Sequence, residues 1–246
     1  MRQDTDIFLA HYGVKGMKWG VRKSDKSGQT NPSYSIDKDG RITIQKGYEL
    51  QRVFKQGRGG SGERGANYFS FTDRDKSTYL MMMSAGIDSK FKLLRKLASD
   101  KVSVMVATEE LKSPSRKEAF DILKSTVDDV GPSGKVKPFK GDFSERGGAE
   151  WYKNANASLV LSKDSDLSQA YFKNLRKKGY NILLDEMDAG TISDLPVIVL
   201  DGSKSLKTLT VSDVQGKDVR EAKRLVKSQN NVPIRSLEEH IRNWNY

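Results

Sequence analysis

The sequence contains no cysteine and two histidines, His11 and His240. Without thiols there is no disulfide, no thiolate metal site and no cysteine nucleophile, which fits a reducing interior or a particle that must not cross-link. Two histidines near opposite ends leave no multi-histidine metal site and no histidine-based triad, so no metal is expected. Long apolar runs are missing as well. The longest, around Leu80–Met83 and Pro196–Leu200, fall far short of the roughly 20 residues that span a bilayer. The opening Met-Arg-Gln-Asp-Thr-Asp has no apolar core of a secretory signal, so a soluble protein made inside the cell is expected.

What is present is a chain of 246 residues, 36% hydrophobic and 30% charged, enough for a packed core under a heavily solvated surface. The net charge of +11 favours acidic partners, among them the phosphates of nucleic acid. Lysines and arginines are spread along the chain rather than set on one recognition helix. That distribution predicts DNA contact without sequence choice.

Three parts are expected: residues 1–35, a body at 36–214 and a helical tail at 215–246. Ser24–Ser35 is rich in Ser, Lys, Asp, Gly and Asn, and reads as a linker. In the body, strands are predicted at Arg41–Ile44, Tyr48–Phe54 and Asn67–Thr72, with a helix opening across Asp75–Met83. Alternating Val102, Val104 and Val106 predict a half-buried strand. Ser115 and Glu118 have the spacing of a capping box, and Ala119, Ile122, Leu123 and Val127 follow at helical intervals. Gly131–Gly148 reads as a glycine-rich mobile loop. Leu167, Ala170, Tyr171 and Leu175 form a helical stripe that stops at Gly179. Strands are expected again at Ile182–Asp188 and Val197–Leu200. Charged helices follow at Asp218–Lys227 and Leu237–Trp244, the second behind another capping box, Ser236 and Glu239. Strands and helices without regular βαβ alternation predict an α+β fold, a mixed sheet with flanking helices, behind an extended N-terminal arm.

Three segments of the body carry candidate chemistry. Tyr48, Leu50, Arg52 and Phe54 share one strand face, so Arg52 sits on a face that looks apolar. A buried guanidinium there needs a carboxylate, phosphate or carbonyl partner, while at a strand end it would reach water. Tyr68, Ser70 and Thr72 share a face opposite Phe69 and Phe71, as in any amphipathic strand. Glu186 and Asp188 project to one side if the strand from Ile182 continues, where they could orient a ribose or act as a base. If the strand stops, they begin a solvated turn. The glycines at Gly57–Gly65 lack the strand-to-helix setting that phosphate-binding loops require.

The order Arg52, then Ser70 and Thr72, then Glu186 and Asp188 resembles the arginine, Ser-Thr-Ser and Glu-x-Glu order of mono-ADP-ribosyltransferases. The resemblance implies NAD as substrate, with Arg52 on its phosphate, Ser70 and Thr72 as the serine-strand residues, and Glu186 and Asp188 as the catalytic pair. This chain departs from the pattern in reading Ser-Phe-Thr, and in ending on Asp188, one methylene shorter than glutamate.

The N-terminal run His11–Arg22, HYGVKGMKWGVR, is the most distinctive segment. Gly13, Gly16 and Gly20 permit tight folding over a surface, and Tyr12 and Trp19 supply contact area at low entropy cost. A dozen residues cannot form their own core, so these rings pack on the domain behind them or on another protein. The run resembles HxGVKGMKWGVR stretches near the N-termini of structural and minor-head proteins of tailed phages and prophages of Gram-positive bacteria. That resemblance implies a virion-associated protein, made in the cytoplasm of the infected host, that docks on capsid or portal proteins. The docking residues would be His11, Tyr12, Gly13, Gly16, Lys18, Trp19, Gly20 and Arg22. Three functions stay open for the body: a non-enzymatic structural role, an ADP-ribosyltransferase-like effector packaged for delivery to the host, or a module that binds DNA or RNA phosphates without sequence choice.

Overall fold

Nine short strands and seven helices form the described part of the chain, and every strand pairing is antiparallel. The computed structural model describes residues 32–57, 67–134, 136–162, 165–189, 193–228 and 239. The N-terminal motif and the predicted helix at Leu237–Trp244 lie outside the described residues. In chain order the elements are β1 (Tyr34–Ile36), β2 (Ile42–Ile44), β3 (Glu49–Phe54), β4 (Asn67–Phe69), α1 (Asp73–Ser84) and α2 (Lys92–Leu97). They continue with β5 (Lys101–Ala107), β6 (Leu111–Lys112), α3 (Arg116–Val130), α4 (Gly148–Leu161) and α5 (Asp166–Lys177). The chain then forms β7 (Ile182–Leu184), β8 (Val197–Val199), α6 (Gly202–Ser205), β9 (Leu206–Asp213) and α7 (Gly216–Ser228). The mixture is α+β, as the sequence implies, but in place of the one mixed sheet expected there are three small antiparallel ones, because strands this short are covered by separate partners.

The strands form three three-stranded sheets, ordered β1-β2-β6, β3-β5-β9 and β4-β8-β7. The third sheet is buried on both faces because its short strands are apolar at nearly every position. In register, Tyr68, Ile198 and Leu183 stand across from one another, and Leu183 and Ile198 pack with α3, α4 and α5. The alternate residues Phe69, Val197 and Leu184 turn to the opposite side, where Ile42, Leu50, Met105 and Leu111 of the other two sheets meet them. Period-2 alternation thus splits one apolar sheet between two cores.

Local signals account for the helix ends. Ser115 Oγ accepts from the Glu118 amide, and the Ser115 amide donates to Glu118 Oε2 at 2.8 Å, completing the capping box. α5 ends with Gly179 at φ +87°; its amide reaches the Arg176 carbonyl and that of Tyr180 the Leu175 carbonyl, a closure that favours glycine. Gly131–Gly148, expected to be mobile, instead returns Val136, Phe139 and Phe143 to the helical core. There Phe139, Phe143 and Trp151 surround the buried Phe120, with ring centroids 5.4–6.0 Å away.

Glu118 does more than cap. Arg41 donates to both of its oxygens at 2.9 Å, tying β2 to α3. That guanidinium is the chief cause holding the Glu118 carboxyl down at about 2, against an ordinary 4.5. A carboxyl depressed in the folded state contributes stability that is complete above about pH 4.5 and lost as pH falls towards 2. Glu118→Gln is therefore expected to lower stability at neutral pH and to flatten the acid limb of the curve. Urea unfolding at about pH 7 and about pH 2.5 checks this: the gap between the two proteins should be wide at the first and much narrower at the second.

Candidate functional site

The sheet β3-β5-β9 and the sheet β4-β8-β7 meet at one place. The Gln51 amide donates to the Ser70 carbonyl at 2.8 Å, and the Ser70 amide returns the bond to Gln51 at 2.9 Å. This joint sets Arg52 of β3 beside the end of β4. Beyond it opens a cavity of about 510 Å³, walled by β3, β4, α1, α4, α5 and the turn after β7. Its size falls within the range usual for small-molecule sites, about 300–1,000 Å³.

Of the five candidate residues in the body, Arg52, Ser70 and Asp188 line this cavity. Arg52 is half-buried opposite Ser103, and its Nη1 is wholly buried with no hydrogen-bond partner among the described residues. Burial lowers its pKa from the usual guanidinium value. A cation in that position is electrostatically unfinished, since an unpaired buried charge is costly.

Thr72 and Glu186 lie elsewhere. Thr72 is the N-cap of α1, accepting from the Asp75 amide at 3.1 Å, so the strand expected to reach it stops at Phe69. The strand from Ile182 likewise stops at Leu184, which corrects the expectation that Glu186 and Asp188 share a strand face. In the turn that replaces it, Glu186 is buried and takes both nitrogens of a bidentate Arg116 at 2.8 Å. Asp188 faces the cavity. The turn is shaped by Asp185, whose Oδ1 accepts from the Met187 amide while its carbonyl accepts from Ala189.

Sequence reading passed over three groups at this wall. Tyr68 donates to Asp185 Oδ2 at 2.5 Å, and Tyr79 donates to Asp188 Oδ2 at 3.0 Å. All four line the cavity. Burial, then the facing carboxylates, pushes Tyr68 up; burial also leads the rise of Tyr79, which therefore stays a donor. Burial raises Asp188 too, against the lowering effect of its bond from Tyr79. A raised carboxyl at a cavity wall is suited to exchanging a proton with a bound group. Tyr79 was hidden because it lies on a helix whose apolar stripe is weak, four residues before Met83. Phe172, Val160, Leu161 and Ile198 complete the cavity with an apolar wall.

Asp75 braces the site from behind. Fully buried in the first turn of α1, it accepts from the amides of Asp194 at 2.7 Å and Leu195 at 2.9 Å. These bonds fix the segment leading into β8 against the helix that carries Tyr79.

Comparison with known proteins gives three findings. Residues 2–26, which include the whole N-terminal motif, match a family of unknown function (DUF7211). No curated protein matches the chain. Among solved structures the chain is similar to the MbcT–MbcA toxin–antitoxin complex of M. tuberculosis, at 10% identity and a TM-score of 0.36, covering 74% of this chain and 92% of that one.

Proposed function

We propose that the α+β domain binds NAD in an ADP-ribosyltransferase-like manner, in the cavity beside the joint of the two sheets. The observation that carries this reading is Arg52: a guanidinium whose buried Nη1 has no partner among the described residues, in a cavity that also holds Ser70 and Asp188. A phosphate would complete its hydrogen bonding and neutralise its charge. The apolar wall suits a flat ring, and Ser70 and Asp188 suit ribose hydroxyls. In transfer, the bond from ribose C1′ to the nicotinamide nitrogen breaks and nicotinamide leaves with the electron pair. The acceptor's nucleophile bonds to C1′, and Asp188 takes its proton. Asp188, rather than Glu186, is the carboxylate for this role, because Glu186 is held by Arg116. Calorimetry with NAD tests the reading: wild type should bind, and Arg52→Ala should weaken binding by about tenfold or more. No heat of binding with folded wild type rejects it.

A second component concerns location. The N-terminal run docks the protein on a phage capsid or portal, so that it travels in the virion and is made in the infected cell. The reading rests on the resemblance carried by His11–Arg22, the run that the family match at residues 2–26 covers. The basic surface then faces packaged DNA through non-specific phosphate contacts. Removing residues 1–23 should abolish incorporation into particles; truncated protein co-purifying with virions at normal abundance rejects the docking role.

A further inference from the structure

A second surface, outside the cavity, carries an unusual combination of groups. The segment Lys90–Leu97 reads Lys-Phe-Lys-Leu-Leu-Arg-Lys-Leu, four cations interleaved with four large apolar side chains and no acid. All eight residues are exposed. Phe91 is 72% exposed, and Leu93 and Leu97 are each 67% exposed, with Leu94, Met82 and Met83 about half exposed beside them. Side chains that open to solvent project outward rather than line a groove, and exposed apolar side chains this dense mark an interaction surface. Among the described residues, Lys90, Lys92 and Lys96 have no acidic partner, while the Arg95 Nε is turned back to the Ser89 carbonyl at 2.7 Å. The nearest acid, Asp88, is taken by Arg220 at 2.6 Å.

We infer that Lys90–Leu97, with Met82 and Met83, is a peripheral docking surface for an anionic lipid bilayer. The charge chooses the occupant: projecting Phe and Leu enter the acyl boundary while the lysines beside them meet anionic headgroups, each step reinforcing the other. A groove-lined protein interface would instead bury such residues against walls of the same chain. The attachment is to a surface, not a span; among the described residues no helix is long and apolar enough to cross a membrane. It also has an orientation. The Ser99 amide donates to the Met83 carbonyl at 2.9 Å, holding the end of α2 beside α1, and Met83 lines the cavity. Docking through α2 brings the Met83 side of the cavity wall towards lipid headgroups.

The test uses the full chain and sedimentation with vesicles of phosphatidylglycerol and phosphatidylcholine, or of phosphatidylcholine alone. Binding is expected to the anionic vesicles only. Lys92→Glu with Lys96→Glu should weaken it by about tenfold or more, and Leu93→Ser with Leu97→Ser by a comparable factor. Because these side chains are exposed, the variants should keep the wild-type melting curve. A depth measurement stands independent of those variants: the chain has no cysteine, so Leu93→Cys accepts a single nitroxide. On vesicles that label should be relaxed by lipid-dissolved oxygen and shielded from an aqueous reagent. Absence of binding to anionic vesicles overturns the inference. So does binding that the serine pair leaves unchanged, or a label that stays in water, since either means general basic adherence.

Discussion

Phe120→Ala is expected to cost about 3–5 kcal/mol of unfolding free energy, the largest single-residue effect in the domain. Phe120 is fully buried in α3 and is met edge-on by three rings, those of Phe139, Phe143 and Trp151. Truncation opens a cavity that those rings cannot close without leaving the loop and the helix that hold them. Phe139→Ala, at the partly exposed margin of the same group, should cost clearly less. Since a domain of this kind has about 5–15 kcal/mol in total, the Phe120 variant should lie near the limit of folding. Urea unfolding followed by far-UV circular dichroism decides it. Equal losses for the two variants would mean that this aromatic group is a surface cover and not a core.

The second large effect separates two acids only two residues apart. Arg116→Ala strands the buried Glu186 carboxylate and should destabilise the protein by about 3 kcal/mol. Arg116 is itself 31% exposed, which keeps the cost at the lower end for such pairs. Replacing both partners with apolar residues, Arg116→Met and Glu186→Leu, should recover most of the loss. Asp188→Asn should behave in the opposite manner. Burial raises the Asp188 carboxyl, so the folded state disfavours its ionised form, and a neutral amide should leave stability unchanged or slightly higher. Yet transfer of label from NAD to host proteins should fall by about a hundredfold or more. Stability lost at Glu186 and activity lost at Asp188 is the expected signature. The reverse assignment of the two losses would place the chemistry at Glu186.

Much of this architecture was legible in the sequence where the local signal was strong. The capping box at Ser115 and Glu118, the stop at Gly179 and a strand at the alternating valines of β5 each appear, although β5 is covered on both faces and not half-buried as the alternation implies. β1, which starts at Tyr34 inside the expected linker, β6, α2 and α6 escaped, and β9 and α4 did so for clear physical reasons. β9 alternates with its sense reversed: Leu209 and Val211 point outward while Thr208 and Thr210 are the more covered, so hydrophobicity does not mark the buried face. α4 begins at Gly148, behind Gly147, and its large apolar residues are bunched at Trp151–Tyr152 and Leu159–Leu161, leaving its stripe faint. Arg52, Ser70 and Asp188, which line the cavity, were singled out by chain order and residue type. Thr72 and Glu186 could not be told from them, since a helix cap and a buried ion pair use the same residue types as a ligand site. Which acid faces the cavity depends on where β7 ends, and an apolar run passing into Asp-Glu-Met-Asp gives no period to fix that boundary.

The paired bonds between Gln51 and Ser70 have a kinetic consequence. Sheets built from such short strands open in separate cooperative units, and a seam of two backbone bonds is a natural line for that opening. A ligand that grips Arg52 on one side and Asp188 on the other closes the seam from outside, as a stitch does. Occupancy should then slow hydrogen exchange at the amides of Gln51 and Ser70 more than at those of α3, which opens only with the whole domain. The protection pattern would report on ligand even where no transfer occurs, so recognition and chemistry can be followed as separate events in the same molecule.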